Sequence, residues 1–233
     1  MINNRPKIRG WLLAVSALLF CAPAWAQNDK ALEAVLTDLD NSATKFRMAE
    51  ASFVWDQYQK VVNETDTQKG KVYLRRSGKD MQMMAEITEP DRKYVLLNEG
   101  KIQIYQPQID QVTVYTPGNR EEVESFMTLG FGGSGHALLK SFEMKYLGKE
   151  DIGGTETAKL DLVPKSEKVR NNLAHIILWI DTGRGVTLQQ QLFEPSGDYR
   201  LAKYSDIQIN QKLPDNVFKL KTTGKTKTVS TQG

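Results

Sequence analysis

Between Gly70 and Pro117 the chain alternates strand-length runs with turn signals five times over. The runs are Lys71–Arg76, Asp80–Thr88, Arg92–Asn98, Lys101–Gln106 and Gln111–Thr116, rich in Val, Ile, Tyr and Met. Ser77-Gly78, Glu89-Pro90, Glu99-Gly100, Pro107 and Pro117-Gly118 separate them. Links this short join neighbouring antiparallel strands and are too short for a parallel crossover. The stretch therefore predicts an antiparallel meander, to which the remaining segments are added.

Before it, Asn28–Arg47 predicts a helix, with Leu32, Val35, Leu36, Leu39 and Phe46 in one apolar stripe that packs on the sheet. Glu50–Asn63 predicts a strand with Ala51, Phe53, Trp55 and Gln57 on one face. A turn is expected near Thr65–Lys69. After the meander, 119–141 breaks the strand pattern. Arg120–Leu129 and His136–Phe142 read as short helices around the run Gly130-Phe131-Gly132-Gly133-Ser134-Gly135. So many glycines permit movement, and the segment reads either as a mobile apolar lid or as a long connection covering one end of the sheet. Strands resume at Phe142–Leu147, Thr157–Pro164, Ala174–Asp181, Val186–Glu194 and Tyr199–Ile209, with Asn216–Lys221 as a candidate edge strand and a polar, loose tail from Thr222. Ten or so antiparallel strands must curl to cover their apolar face. The expected fold is mainly β: a strongly curved antiparallel sheet, an incomplete β-barrel, with an N-terminal helix and a helical lid insert.

The first residues read as an export signal. Arg5, Lys7 and Arg9 precede a short apolar run, Trp11–Ala22. That run is well below the roughly 20 residues that span a bilayer. Ala24-Trp25-Ala26 offers a cleavage site, so the expected division is a signal peptide at 1–26, one domain at 27–221 and a polar tail at 222–233. Cys21, the only cysteine, follows bulky Phe20 and so does not read as a lipid-modified cysteine; it leaves with the signal. Its removal excludes a disulfide or a cysteine nucleophile. Removing the signal also leaves 28 basic against 28 acidic residues in the 207 that remain. A neutral domain argues against nucleic acid and against polybasic docking on anionic lipid. The expected localisation is periplasmic.

Catalytic patterns are weak. The glycine run satisfies G-x-G-x-x-G, but its surroundings are antiparallel, and a dinucleotide site needs a strand before the run and a helix after it. His136 and His175 are the only histidines, with no further ligands at metal spacing. No pair of carboxylates stands out for glycoside chemistry. Neither an enzyme nor a cofactor is expected. What does stand out is apolar and adaptable: Met81, Met83 and Met84 on one strand, with Phe126, Met127 and Phe131 in the insert. Methionine serves surfaces that accept varied ligands, and it also simply fills cores. Arg76 shares a strand face with Val72 and Leu74. Either it points inward, where a guanidinium must be hydrogen-bonded, or it reaches water beside the Ser77-Gly78 turn.

These residues resemble the periplasmic LolA-like lipoprotein carriers. Glu99-Gly100 followed by Tyr105-x-Pro107-x-x-x-Gln111 is similar to that family's D-G…Y-x-P-x-x-x-Q pattern. Val72–Arg76 resembles the strand bearing its cavity arginine, which would be Arg76, and Leu160-x-Leu162-x-Pro164-Lys165 resembles a later strand. The resemblance implies helices closing an apolar cavity; the expected lining is Phe53, Trp55, Met81, Met83, Phe126, Met127 and Phe131, with Arg76 as a latch on the lid. It implies no cofactor. The expected function is that of a monomeric carrier that takes lipoprotein or acylated-lipid cargo from an inner-membrane transporter to an outer-membrane acceptor. The alternative is a lipid- or lipoprotein-sensing module on the same fold.

Overall fold

The computed structural model describes residues 24–78, 80–119, 126, 129–214 and 216–232. One twelve-stranded sheet dominates it, in the order β12-β6-β5-β4-β3-β2-β1-β11-β10-β9-β8-β7, and the sheet does not close into a barrel. The strands are β1 (Met48–Gln59), β2 (Glu64–Ser77), β3 (Asp80–Glu89), β4 (Lys93–Asn98), β5 (Lys101–Gln106), β6 (Gln111–Thr116), β7 (Phe142–Ile152), β8 (Thr155–Pro164), β9 (His175–Asp181), β10 (Val186–Phe193), β11 (Tyr199–Ile209) and β12 (Lys227–Gln232). Two sequential meanders, β1 to β6 and β7 to β11, meet where β1 pairs with β11. Three helices are described: α1 (Ala24–Lys45), α2 (Gly135–Leu138) and α3 (Glu167–Arg170). None is long and apolar enough to cross a membrane.

The alternation of each strand separates two faces. The inner face carries two apolar clusters. One gathers Phe46, Ala49, Ala51, Phe53, Val72, Leu74, Met81, Met83, Ile87, Leu97 and Phe131. The other joins Val35 and Leu39 of α1 to Phe142, Leu160, Leu162, Ile176, Leu178 and Ile180. The stripe expected on α1 is the buried one: Val35, Leu36, Leu39 and Phe46 are all inside. Burying each such side chain stabilises the fold by about 1.5–3 kcal/mol. On the outer face Met84 and Leu96 meet Leu213 and Phe218.

Three local expectations change. The β1–β2 turn falls at residues 60–63, where Asn63 takes a left-handed φ of 54°, and not at Thr65–Lys69. The polar run Glu64–Lys69 has turn-like composition, but it pairs residue for residue with β1. Asn216–Lys221 is a turn and not an edge strand: the amide of Val217 donates to Pro214 O at 3.1 Å and that of Lys219 to Asn216 O at 3.2 Å. Its apolar residues exist to bury Phe218 on the outer face. The tail is not loose. Lys227–Gln232 lies parallel to β6, Lys227 opposite Gln111 and Gln232 opposite Thr116. Asp110 fastens its start, accepting hydrogen bonds from Thr226 Oγ1 at 2.7 Å and Thr223 Oγ1 at 3.0 Å.

Candidate functional site

Arg76 ends the inner row of β2, two residues beyond Leu74. Its amide donates to Arg47 O at 2.8 Å, which fixes the backbone, and its side chain is half-buried. The guanidinium Nη2 donates to Gly132 O at 2.6 Å. Of the two orientations open for this arginine, the inward one is adopted, and a carbonyl of the glycine run is its partner. The neighbouring Arg75 points the other way. It donates through Nε and Nη2 to Gln82 Oε1 at 3.0 and 2.7 Å, and lies 4.4 Å from the centre of the Phe218 ring. Period-2 alternation thus sends two adjacent cations to opposite faces.

The glycine run is held closely. Thr187 N donates to Gly130 O at 2.8 Å. Phe131 is 3% exposed, bridges to Val186 and packs edge-on against Tyr204 at 5.0 Å. Gly132 has a φ of +69°, and a Cβ there would fall within 2.3 Å of the Phe46 ring. At Gly135 a Cβ would meet the carbonyl oxygen of Leu36. These glycines therefore serve close approach to α1 as well as backbone freedom. Of the two readings of the insert, the described part of it is a fitted cover over one end of the inner face.

A polar cluster fastens the cover to α1. Ser134 caps α2, accepting from Ala137 N at 3.4 Å, and donates to Asp40 Oδ1. His136 Nδ1 bonds Asp40 Oδ2, and its Nε2 lies 3.1 Å from Glu33 Oε1. The hydrogen bond to Asp40 raises the His136 pKa above its usual value. Partial burial pushes the Asp40 carboxyl up, but the bonds from Ser134 and His136 outweigh it and hold the carboxyl below the usual range. Serine and histidine both bind the carboxylate and not each other, so the trio lacks the serine–histidine contact of a nucleophilic site. His175 is occupied elsewhere, bonded to Asp161 at 2.8 Å and stacked on Phe193.

Phe53, Met81, Met83 and Phe131 fall in one cluster with Trp55 packed against it, and Arg76 stands at its edge. Phe126 goes elsewhere, to the cluster under α1, edge-on to Phe142 at 5.1 Å. Met127 lies outside the described residues. Met84 faces outward. Sequence reasoning did not single out Tyr204, whose burial among apolar groups raises its phenol pKa, or the Asp40–His136 pair. Tyr204 was legible as the inward residue opposite Phe53 once the β1–β11 register is known; Asp40 carries no local signal.

A family model described as "Outer membrane lipoprotein carrier protein LolA" matches residues 44–221. No curated protein matches the chain. Among solved structures, an uncharacterised conserved protein from Thermus thermophilus is similar at 10% identity with a TM-score of 0.56, over 86% of this chain and 99% of that one. MucB is similar at 12% identity with a TM-score of 0.53, over 82% of this chain and 63% of that one. The MucA/MucB complex of Pseudomonas aeruginosa is similar at 13% identity with a TM-score of 0.50, over 82% and 61%. This chain thus spans about three-fifths of the MucB chain.

Proposed function

The chain belongs to the LolA family of outer membrane lipoprotein carriers, and from that premise we propose that it is an exported carrier of acyl chains. Cargo would lie on the inner-face cluster of Phe53, Trp55, Met81, Met83 and Phe131. It would come from an inner-membrane transporter and go to an outer-membrane acceptor. The reading is of a binder without a catalytic step. The observation that carries it is the Arg76–Gly132 bond, which couples the rim of an apolar face to the segment covering it.

Burying acyl chains yields roughly 0.8 kcal/mol per methylene, so full burial of two or three chains would hold cargo almost irreversibly. A carrier that releases cargo needs an opposing contribution. Loading that displaces Phe131 breaks the Arg76–Gly132 bond and leaves a half-buried guanidinium without its carbonyl, which costs about 1–3 kcal/mol. The empty, covered state is thereby favoured and the cargo is released more readily.

Arg76→Leu tests this directly. The variant is expected to co-purify with acylated cargo and to pass it poorly to acceptor membranes. Transfer at the wild-type rate would remove the latch. Lipid extraction and native mass spectrometry of the wild-type protein with no acylated ligand would remove the carrier reading itself. A second reading is a sensor that binds a partner protein in response to lipid, supported by the solved complex of MucB, a protein of similar fold, with MucA. A partner-bound form that holds lipid but never transfers it would favour that reading.

A further inference from the structure

The inner face changes character from one end to the other, in the same direction on five strands. β1 presents Ala49, Ala51, Phe53 and Trp55, and then Gln57. β2, followed back from Leu74 through Val72 and Gly70, reaches Gln68 opposite Trp55. β4 passes from Leu97 and Val95 to Lys93, and β5 from Ile102 and Ile104 to Gln106. β11 passes from Tyr204 and Ala202 to Arg200, which stands opposite Gln57. The registers bring these polar residues to one end of the sheet, away from Arg76 and Phe131.

A cleft of about 380 Å³ opens at that end, lined by Gln68, Lys93 and Gln106 together with the turns at 90–92 and 108–109. On the same face Gln190 stands opposite Ala202. Its Oε1 and the Nε of Arg200 are buried without a hydrogen-bond partner, but neither residue lines the cleft, and Oε1, an acceptor, is not satisfied by a head that offers only acceptor oxygens. The nearby carboxylates are mostly engaged. Glu194 pairs with Arg200 Nη2 at 2.8 Å, Glu89 with Lys69 at 2.9 Å, and Asp66 accepts from Gln59 at 3.3 Å. Asp91 stands exposed in the turn. Lys93 pairs with no carboxylate among the described residues.

We propose that this chain binds amphiphiles in one orientation, with the apolar tail towards Arg76 and Phe131 and an anionic or ester head at the Gln68–Lys93–Gln106 end. The inference rests on the acyl-binding reading and adds a polar subsite and a direction to it. Amide donors and an unpaired ammonium suit a head rich in acceptor oxygens, while the inner face between them and Arg76 is lined by Phe53, Val72, Leu74, Met81 and Met83.

The test uses delipidated protein and stearate carrying a spin label at carbon 5 or at carbon 16, with broadening of assigned amide resonances as the readout. Carbon 5 is expected to broaden residues 68, 93 and 106, and carbon 16 to broaden residues 72–76 and 129–132. The reverse pattern, or uniform broadening, overturns the orientation and leaves acyl binding intact. Absence of binding by either probe overturns the acyl-binding reading and takes this inference with it. Lys93→Glu is expected to weaken stearate binding about tenfold and to leave octadecanol, with the same tail and a neutral head, within about twofold. Equal losses for both ligands would mark Lys93 as structural and overturn its role. Inorganic phosphate alone is expected to leave these resonances in place; shifts as large as those given by stearate would mean a bare anion site, contrary to the proposal.

Discussion

The two halves of the inner face are both apolar and are closed in different ways. Under α1, the residues Phe142, Leu160, Leu162, Ile176 and Leu178 are each 0% exposed. A 22-residue helix lies over them and contributes Val35 and Leu39 to the same cluster. In the other half Ala51, Leu97 and Val186 are 0% exposed, but Phe53, Val72 and Met83 keep 7% and Met81 keeps 9%, and Trp55, Val95 and Ile102 are only partly covered. Its cover is one short glycine-rich segment, held by Phe131 and by bonds to Arg76 and Thr187. The first half is a core in the energetic sense. The second mixes fully buried residues, Ala51, Leu97 and Val186, with partly covered ones beneath the glycine-rich segment; on the proposed function, cargo would take the place of that segment's contacts.

The largest test of this difference is in the closed half. Leu160→Ala is expected to cost about 2–5 kcal/mol in urea denaturation. Met83→Ala should sit near the low end of that range, at about 2 kcal/mol, because its surroundings can relax into the less tightly covered half. Equal costs would erase the distinction. Next comes Gly132→Ala, which places a side chain at a φ of +69° and against the Phe46 ring. It should destabilise the protein by about 1–3 kcal/mol and speed amide exchange at residues 129–132, leaving the β8–β9 amides protected. Uniform loss of protection would mean that the two halves open together.

The smallest effect belongs to the Asp40–His136 clamp. The folded pKa of His136 is raised above 6.5, so its contribution to stability is complete below that value and fades as pH rises through the raised folded value. The carboxyl of Asp40 is held below 3.8, so its contribution is present above 3.8 and is lost as pH falls through the lowered value. Asp40→Asn should bring the His136 midpoint, followed by NMR, back towards 6.5, and should lower stability most in the acidic window between those limits. An unchanged midpoint would show that Asp40 does not hold the imidazole.

Much of the sheet was legible because its signal is local. Lys101–Gln106, Gln111–Thr116 and Tyr199–Ile209 coincide with β5, β6 and β11 to the residue. Alternation placed Phe53 with Trp55, Met81 with Met83, and Arg76 with Val72 and Leu74, and all of these share the inner face. The candidate site was legible only in part. Phe126 looked like a companion of Phe131 because both lie in the insert; the chain turns between them, and Phe126 packs on Phe142 across the other cluster. Phe218 and β12 were missed for the same kind of reason. A buried plug and a parallel edge strand take their stability from partners more than a hundred residues away, and no local period records such partners.

By itself the sequence determined most of the strands and their faces, because a two-residue period and tight turns are written within a few neighbouring residues, and it carried the family's resemblance in short motifs such as Tyr105-x-Pro107-x-x-x-Gln111. Only the tertiary structure decided what Arg76 and the glycines do. The inward face of Arg76 follows from alternation, but its carbonyl partner lies 56 residues away in the chain. Gly132 and Gly135 read equally well as hinges or as close contacts until Phe46 and Leu36 are seen pressed against them. A glycine permits both outcomes, and only the atoms packed against it select one.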